Sequence, residues 1–214
     1  MKILRTNVYV DGFNLYNGSL KRNPECKWLN IFALCEYILN QECEIRNVHF
    51  FTAKVHGKRD PDQPNRQEIY FRALRTVPQV RIHMGYFLSF PQKMLAADSW
   101  PAGSKFHVVM RTEEKGSDVN LATQLLVDAF DDAFDVAVIL SNDGDLKSPI
   151  SVVRNRFEKI IGIVSPHPHL NRKLKPLAHF TQTIPYKALK MAQFPDELED
   201  ATGTFRKPKS WRAA

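Results

Sequence analysis

Cysteine, glycine-rich loops and long apolar runs are scarce in this sequence, and each scarcity argues against a class of protein. Only three of the 214 residues are cysteines (Cys26, Cys35 and Cys43), and no two of them form a Cys-x-x-Cys pair. This argues against a disulfide framework and a zinc ribbon, and it fits a reducing compartment. No stretch approaches the ~18 apolar residues of a membrane span, and the N-terminus lacks the apolar run of a signal peptide. We expect a soluble, cytoplasmic protein with no membrane partner.

Several nucleotide- and metal-binding motifs are also missing. The sequence contains neither Gly-x-Gly-x-x-Gly nor the Walker A pattern. Asp143-Gly144-Asp145 lacks the later glycine and glutamate of an EF-hand loop. A dehalogenase-type phosphatase needs a second aspartate two residues after its first, but Phe13 stands two residues after Asp11. Dinucleotide-binding, calcium-binding and phosphatase functions are therefore disfavoured.

The composition is that of a globular domain with an excess of positive charge. Hydrophobic residues make up 43% and charged residues 25% of the chain. Lys and Arg number 30 against 23 Asp and Glu, which gives a formal net charge of +7. This excess favours polyanionic partners, nucleic acid before membrane. A chain of this length fits one domain with extensions and can bury a core without a disulfide or a metal.

Short apolar runs alternate with longer segments of helical periodicity, which predicts an α/β fold with a largely parallel sheet. The predicted strands cover residues 7–10, 47–55, 80–87, 106–111, 136–140 and 160–164. The predicted helices cover residues 31–39, with Asn30 as N-cap, and residues 64–76, 118–130 and 145–156.

One domain is expected over residues 1–195, with two segments that stand apart. Residues 88–105 include a stretch rich in Pro, Gly and Ser, which predicts a loop or hairpin excursion, either a lid or a variable surface loop. Residues 196–214 run acidic and then basic, which predicts a flexible tail. Phe205 and Trp211 lie among the basic residues of this tail and would suit stacking on single-stranded RNA, but disorder without function is the favoured explanation.

Aspartates fall where strands end or helices begin. Asp11 ends the first strand, Asp143 and Asp145 follow a later one, and Asp118 opens a helix. Sites in open α/β sheets form outside the carboxyl ends of the strands, and Gly144 allows a tight turn there. Each aspartate alone is explained as a helix cap or a turn residue. Carboxylates gathered together repel one another without a cation, so the set points to Mg²⁺ or Mn²⁺.

These aspartates belong to three motifs: Asp-Gly-Phe-Asn-Leu at 11–15, Lys-Gly-Ser-Asp at 115–118, and Ser-Asn-Asp-Gly-Asp at 141–145. In their order and spacing the sequence resembles the NYN domain of the PIN-like nuclease superfamily, in its bacterial LabA-like branch. The resemblance covers roughly residues 5–165. It implies a Rossmann-like three-layer α/β/α sandwich and metal-dependent cleavage of RNA.

The resemblance also implies roles for single residues. The family's acidic quartet falls on Asp11, Asp118, Asp143 and Asp145, and its amide falls on Asn14. We expect Asp11, Asp143 and Asp145 to hold Mg²⁺ or Mn²⁺ directly or through water. Asp118 would complete the coordination shell or orient the water. The ion would activate a water and neutralise charge on the phosphate. The chain departs from the family at Asn142, where glycine is common, and at Leu146, where phenylalanine is common; this bears on the shape of the site more than on its chemistry.

The residues that contact RNA are predicted less sharply. Lys54, Lys58 and Arg59 follow the second strand on the edge where the site is expected, and Lys115 precedes Asp118. These cations would hold phosphates of RNA, single-stranded rather than double-stranded, with salt-sensitive affinity. A solvated loop lysine explains Lys115 equally. Glu113, Glu114, His167 and His169 are further candidates for metal or proton-transfer roles, each with an ordinary structural explanation.

A non-enzyme is the serious alternative. An RNA-binding or regulatory protein would keep this fold with little or no turnover. The presence of all four carboxylates argues against it, because a pure binder gains nothing from an acidic cluster that repels RNA.

Overall fold

The computed structural model describes residues 3–57, 60–97 and 105–211. Its strands are β1 (Leu4–Asp11), β2 (Cys43–Ala53), β3 (Val80–Leu95), β4 (Phe106–Lys115), β5 (Val136–Leu140), β6 (Ile160–Ser165), β7 (Phe180–Thr183), β8 (Glu197–Asp200) and β9 (Gly203–Arg206). Its α-helices are α1 (Gly12–Leu15), α2 (Ile31–Ile38), α3 (Gln63–Arg75), α4 (Ser117–Phe130), α5 (Lys147–Arg156) and α6 (Tyr186–Met191). A π-helix, Tyr16–Leu20, continues α1, and 3-10 helices lie at Pro24–Cys26, Gly144–Leu146, Lys175–Leu177 and Lys209–Trp211.

In this part of the chain, seven strands form one sheet in the order β4-β3-β2-β1-β5-β6-β7, and every neighbouring pair is parallel except β3 with β4. Successive residues of β1 point to opposite faces. Val8 and Val10 join a core with α2, α3 and α6, whereas Tyr9 joins a second core with α4 and α5. The prediction of an α/β/α sandwich around a mostly parallel sheet is confirmed.

The strand order places a topological switch beside β1. From β1 the chain runs outward through β2 and β3, and it later returns to β5 on the other side of β1 and runs outward through β6 and β7. Loops that follow β1 and β5 therefore leave the sheet in opposite directions, and a crevice opens between them. In sheets of this kind the crevice at the carboxyl ends of the strands is where ligands bind.

The predicted core elements are present, with shifts of a few residues at their ends. Asn30 caps α2 as predicted, since its Oδ1 accepts a hydrogen bond from the Ala33 amide at 3.1 Å. The ordinary explanation of Asp118 as the N-cap of α4 does not hold. Gly116 holds that position with a φ of +97°, a conformation that favours glycine, and Ser117 is the first helical residue.

The predicted excursion at 88–105 begins as a β-hairpin. β3 continues to Leu95 and pairs antiparallel with β4 from Tyr86–Lys115 to Leu95–Phe106. β2 pairs with β3 only as far as Gly85, so the outer part of β3 has a partner on one side alone. Pro91 lies in this outer part of β3. Its lack of a backbone N–H is tolerated there, because no second neighbouring strand needs that donor. Residues 98–104 lie outside the described residues.

The prediction of a flexible tail differs from the structure, because the tail folds against the body as far as it is described. β8 and β9 form a hairpin, and the Arg72 guanidinium binds the Asp200 carboxylate (Nε to Oδ2, 2.6 Å). Phe205 is 8% exposed and meets the Trp28 ring edge-on at 6.5 Å between centroids, and Trp211 meets the same ring at 6.3 Å. The many charged residues around Phe205 and Trp211 made this segment resemble a solvent-exposed tail in the sequence.

Residues 166–195, for which the sequence predicted no element, contain β7 and α6. β7 extends the sheet beside β6, and α6 contributes Ala188 and Leu189 to the core shared with α2. Both elements are short, which explains why periodicity did not reveal them. No helix within the described ranges has both the length and the apolarity that a membrane crossing requires.

Candidate functional site

The four aspartates of the predicted site lie at the carboxyl edge of the sheet, around the switch point. Asp11 is the last residue of β1, and Asp118 lies in the first turn of α4. Asp143 and Asp145 lie in the turn after β5, the strand that pairs with β1. Residues from three distant parts of the chain therefore converge on the crevice.

Asp11 is buried, with 5% of its surface exposed. Its Oδ1 accepts a hydrogen bond from the Asn14 amide at 2.9 Å, and its Oδ2 accepts one from the Ser141 hydroxyl at 3.0 Å. Burial raises the pKa of Asp11, the two hydrogen bonds oppose that rise, and the nearby Asp143 adds to it. The carboxylate is thus held rigidly in a place where ionisation is costly without a cation.

The turn after β5 is fixed by hydrogen bonds from its own side chains. The Asp143 amide donates to the Ser141 hydroxyl at 3.1 Å, and Asp143 Oδ1 accepts from the Asp145 amide at 2.9 Å. A Cβ on Gly144 would stand 2.9 Å from Asn171 Nδ2, so a larger residue here would displace the Asn171 side chain. The Asp143 carboxylate therefore caps the 3-10 helix Gly144–Leu146 and also faces the other acids.

Asp118 shows that the acids act on one another. Its pKa is raised from 3.8 to about 6, first by partial burial and then by the negative charges of Asp11, Asp143, Glu114 and Asp145. Like charges disfavour further ionisation when they share a site. The acidic set is therefore close enough to be electrostatically coupled, which is the property that a cation would relieve.

A buried polar network, which the sequence did not predict, holds α4 against the sheet. Asp128 Oδ2 accepts from the Tyr9 hydroxyl at 2.7 Å and from Asn7 Nδ2 at 3.3 Å, and His49 Nε2 lies 3.3 Å away. Gln124 Nε2 binds the other oxygen at 2.7 Å. Asp128 lies on the same helix as Asp118, and Tyr9 lies two residues before Asp11. The network therefore fixes the position of α4, and with it Asp118, relative to β1.

The two described lysines that were predicted to contact RNA are paired with carboxylates of the chain. Lys115 Nζ binds Glu113 Oε2 at 2.7 Å, and Lys54 Nζ lies 3.6 Å from Glu68 Oε2 with 70% of its side chain exposed. Both charges are thus partly neutralised by carboxylates of the chain. Lys58 and Arg59 lie outside the described residues.

Three residues near the acids make structural hydrogen bonds that the sequence did not predict. Ser141 joins the two loops by donating to Asp11 and accepting from Asp143. Glu114, one of the further candidates from the sequence, accepts from the Ser117 hydroxyl at 2.6 Å and from its amide at 3.1 Å, which binds the first N–H of α4 beside Asp118. Asn142 donates its side-chain amide to the His169 carbonyl at 2.9 Å. The motifs drew attention to Ser141 and Asn142, but not to these hydrogen bonds.

Carboxylate oxygens are suitable donors for a hard divalent ion, but their arrangement is open. Among the residues that the structure describes, no three His, Cys, Asp or Glu side chains form a ready-made ligand set. Mg²⁺ often keeps several waters and binds through one or two carboxylates. The donor set fits an ion held in that way, with Asp11 and Asp143 the carboxylates nearest the switch point.

Comparison with known proteins defines the class. The family model of the NYN domain matches residues 5–184, so the chain belongs to the NYN domain family, within the PIN-like nuclease superfamily. Nucleases of this family act on RNA and generally use divalent metal ions. The resemblance that the three motifs indicated is thus confirmed at the level of the domain.

Two individual proteins add detail. The 6-hydroxy-3-succinoylpyridine 3-monooxygenase HspA of Pseudomonas putida is 31% identical over 237 aligned positions, which cover 97% of this chain and 75% of that protein. A crystal structure of a Vibrio parahaemolyticus protein of unknown function matches with a TM-score of 0.51 and 17% identity, over 86% of this chain and 94% of that one. The second similarity bears on the fold alone.

Proposed function

We propose that this NYN protein is a ribonuclease that hydrolyses phosphodiester bonds of single-stranded RNA with Mg²⁺ or Mn²⁺. The observation that carries the proposal is the convergence of Asp11, Asp118, Asp143 and Asp145 at the switch point, close enough that the neighbouring charges help to raise the pKa of Asp118. The chain carries a net charge of +7, yet it gathers negative charge beside a crevice. A bound cation would relieve the repulsion within this acidic set.

Each residue has a proposed role. Asp11 and Asp143 hold the ion, and Asp145 supports it through water from its exposed position after the turn. Asp118 orients the attacking water, and with a pKa of about 6 in the metal-free site it is mostly ionised at neutral pH and can accept a proton from that water. Asn14 keeps the two carboxylate loops in register. When bound, a divalent ion supplies Lewis acidity that lowers the pKa of a water and neutralises charge on the phosphate.

Contacts with the RNA backbone are proposed for Lys115, Lys54, Lys58 and Arg59. The first two are bound to carboxylates, and an incoming phosphate would compete for them. Their contribution is sequence-independent and salt-sensitive, because neutralising phosphates releases counterions.

The direct test uses single-stranded RNA labelled at its 5′ end, incubated with the protein in Mn²⁺, in Mg²⁺ and in EDTA. Asp143→Asn is the inactive variant, and Asp131→Asn, at the far end of α4, is the matched control. We expect cleavage in metal with wild type and control, and none in EDTA or with Asp143→Asn. Equal cleavage by Asp143→Asn would reject the proposal. RNA binding without cleavage in either metal would favour the regulatory alternative.

A second candidate function comes from the relative in Pseudomonas putida, whose name describes hydroxylation of a substituted pyridine. A monooxygenase inserts one oxygen atom of O₂ into its substrate and reduces the other to water with electrons from a donor. The test supplies 6-hydroxy-3-succinoylpyridine, NADH and O₂ to the same preparation and follows oxygen consumption. Oxygen uptake that depends on the pyridine, with no cleavage of RNA, would select this function over the first.

We also propose the LabA-like branch and a cytoplasmic location. The three motifs support the branch. The thiols of Cys26, Cys35 and Cys43 support the location, because all three are free.

A further inference from the structure

A cavity of about 460 Å³ opens beside the acidic crevice. Its wall begins at Gly12 and Phe13, the two residues that follow Asp11, and continues along the π-helix Tyr16–Leu20 and α3 to Trp211. Its volume falls within the range of ~300–1,000 Å³ that is typical of small-molecule sites. The site proposed for cleavage does not use this space.

The cavity has an aromatic wall. Of the eighteen described residues that line it, seven are aromatic. The rings are held by one another and by the backbone: Tyr70 lies 6.0 Å from Trp211, Phe13 lies 5.6 Å from Phe87, and the Tyr70 hydroxyl donates to the Leu29 carbonyl at 2.9 Å. Edge-to-face and offset contacts with such rings favour a planar aromatic guest over a flexible apolar chain.

Seven of the described lining residues are polar or charged, and three of these are bound to neighbouring groups. Gln67 donates to the Ala53 carbonyl and accepts from the Val55 amide, both at 2.9 Å, which fixes its amide plane at the cavity. Arg66 is neutralised by Asp60. Lys27, whose Nζ lies 5.5 Å from the centre of the Tyr16 ring, makes no ion pair among the described residues. The cavity thus combines an aromatic wall with a polar side, on which Lys27 is the one cation without an ion pair among the described lining residues.

We infer that this cavity binds a planar heteroaromatic ring that carries an anionic group, with the ring against the aromatic wall and the anion near Lys27. Two sources supply this chemistry: a nucleotide base unstacked from the RNA cut at the acids, or a free aromatic acid. The RNA source rests on the proposed ribonuclease function. Phe13 is two residues beyond Asp11, so their Cα atoms lie within about 8 Å and one nucleotide can reach both places.

Stacking on aromatic side chains contributes ~1–3 kcal/mol per base and is tolerant of base identity. A base held here would therefore position the neighbouring phosphate over the acids without demanding a particular sequence.

The test measures binding by titration calorimetry to the Asp143→Asn protein, which separates binding from cleavage. The ligands are uridine monophosphate, adenosine monophosphate and pyridine-3-carboxylate, with ribose 5-phosphate and cyclohexanecarboxylate as anions that lack an aromatic ring. We expect the ring-bearing anions to bind at least tenfold more tightly than the other two. Equal binding of ribose 5-phosphate and the nucleotides would overturn the inference, because the ring would then add nothing.

Variants locate the binding. Val55→Phe narrows the cavity and should weaken the ring-bearing ligands at least tenfold, whereas Val152→Phe, on α5, should leave them unchanged. Melting curves of both variants establish that they are folded. Lys27→Gln should weaken uridine monophosphate more than uridine. Unchanged binding to both Val55→Phe and Lys27→Gln would place the ligand elsewhere and reject the inference.

The outcome also separates this inference from the nuclease proposal. Metal-dependent cleavage of RNA by wild type, without binding of any ring-bearing ligand at millimolar concentration, would reject the cavity and keep the nuclease. Binding of pyridine-3-carboxylate alone, without cleavage of RNA, would keep the cavity with a free aromatic acid as its ligand and reject the nuclease.

Discussion

The side-chain oxygen of Asn14 accepts a hydrogen bond from the backbone amide of Asn142 at 3.0 Å, and this bond ties together the loops that follow β1 and β5. Asn14 is also joined to Asp11 through its own backbone amide, and Asn142 is the residue before Asp143. The distance between the two carboxylates at the switch point thus depends on an uncharged residue that binds neither substrate nor cation in the proposed mechanism.

Replacing Asn14 should therefore impair the site more than the fold. In Asn14→Ala the Asn142 amide loses its partner, which costs about 1 kcal/mol and lowers the melting temperature by roughly 2–4 °C. Misalignment worth about 1.4 kcal/mol in the transition state would slow RNA cleavage tenfold. Asn155→Ala, which removes an exposed amide from α5, is the control for both assays. Cleavage at the wild-type rate by Asn14→Ala would contradict the positioning role.

The acidic set should make stability depend on pH through Asp118. Its folded pKa of about 6 lies above the unfolded value of 3.8, so the folded state binds more protons between these values. Stability from this group is thus complete below pH 3.8 and is lost as pH rises through 6. Asp118→Asn should raise the free energy of unfolding at pH 8 by about 1 kcal/mol, after allowance for solvent screening and for the helix dipole, which favours the ionised form.

Denaturant unfolding at pH 8 and at pH 4 without metal measures this effect, with Asp131→Asn as the matched control. We expect the gain at pH 8 to disappear at pH 4. A gain of the same size at both values would mean that charge repulsion is not its cause.

Binding of a divalent ion should reverse the repulsion. Mn²⁺ at 100 times its dissociation constant stabilises the folded state by ~2.7 kcal/mol, a melting shift of roughly 5–10 °C for a chain of this length. The shift should vanish in Asp143→Asn and persist in Glu36→Gln, an exposed acid on α2. Thermal melts in millimolar Mn²⁺ and in EDTA measure it, and no difference between them in wild type would count against the metal.

The aromatic anchors of the C-terminal hairpin should matter for stability. Phe205→Ala removes a ring that is 8% exposed beside Trp28, and we expect a loss of about 3 kcal/mol. Phe130→Ala removes the same side chain where it is 77% exposed and should change stability by less than ~0.5 kcal/mol. Urea unfolding of the two variants compares them. Equal effects would mean that the hairpin is not packed on the body in solution.

The carboxyl-end aspartates were predictable because their position follows from strand order. Asp11 and Asp143 each end an apolar run, and parallel strands bring such ends to one edge. The Asp128 network was not predictable, because Tyr9 and Asp128 are 119 residues apart and a carboxylate in the last turn of a helix looks solvent-exposed from sequence. The hairpin at 197–206 was missed because its two strands are only four residues long and bury one apolar side chain, that of Phe205.

Trp211 lines the cavity and also contacts the Trp28 and Tyr70 rings. Trp28 in turn contacts Phe205, so the C-terminal hairpin and the cavity wall share one group of packed rings. A ligand that needs Trp211 in place would therefore also stabilise the hairpin, because binding to the folded state alone favours that state. The cavity thus links ligand binding to the resistance of residues 197–211 to proteolysis.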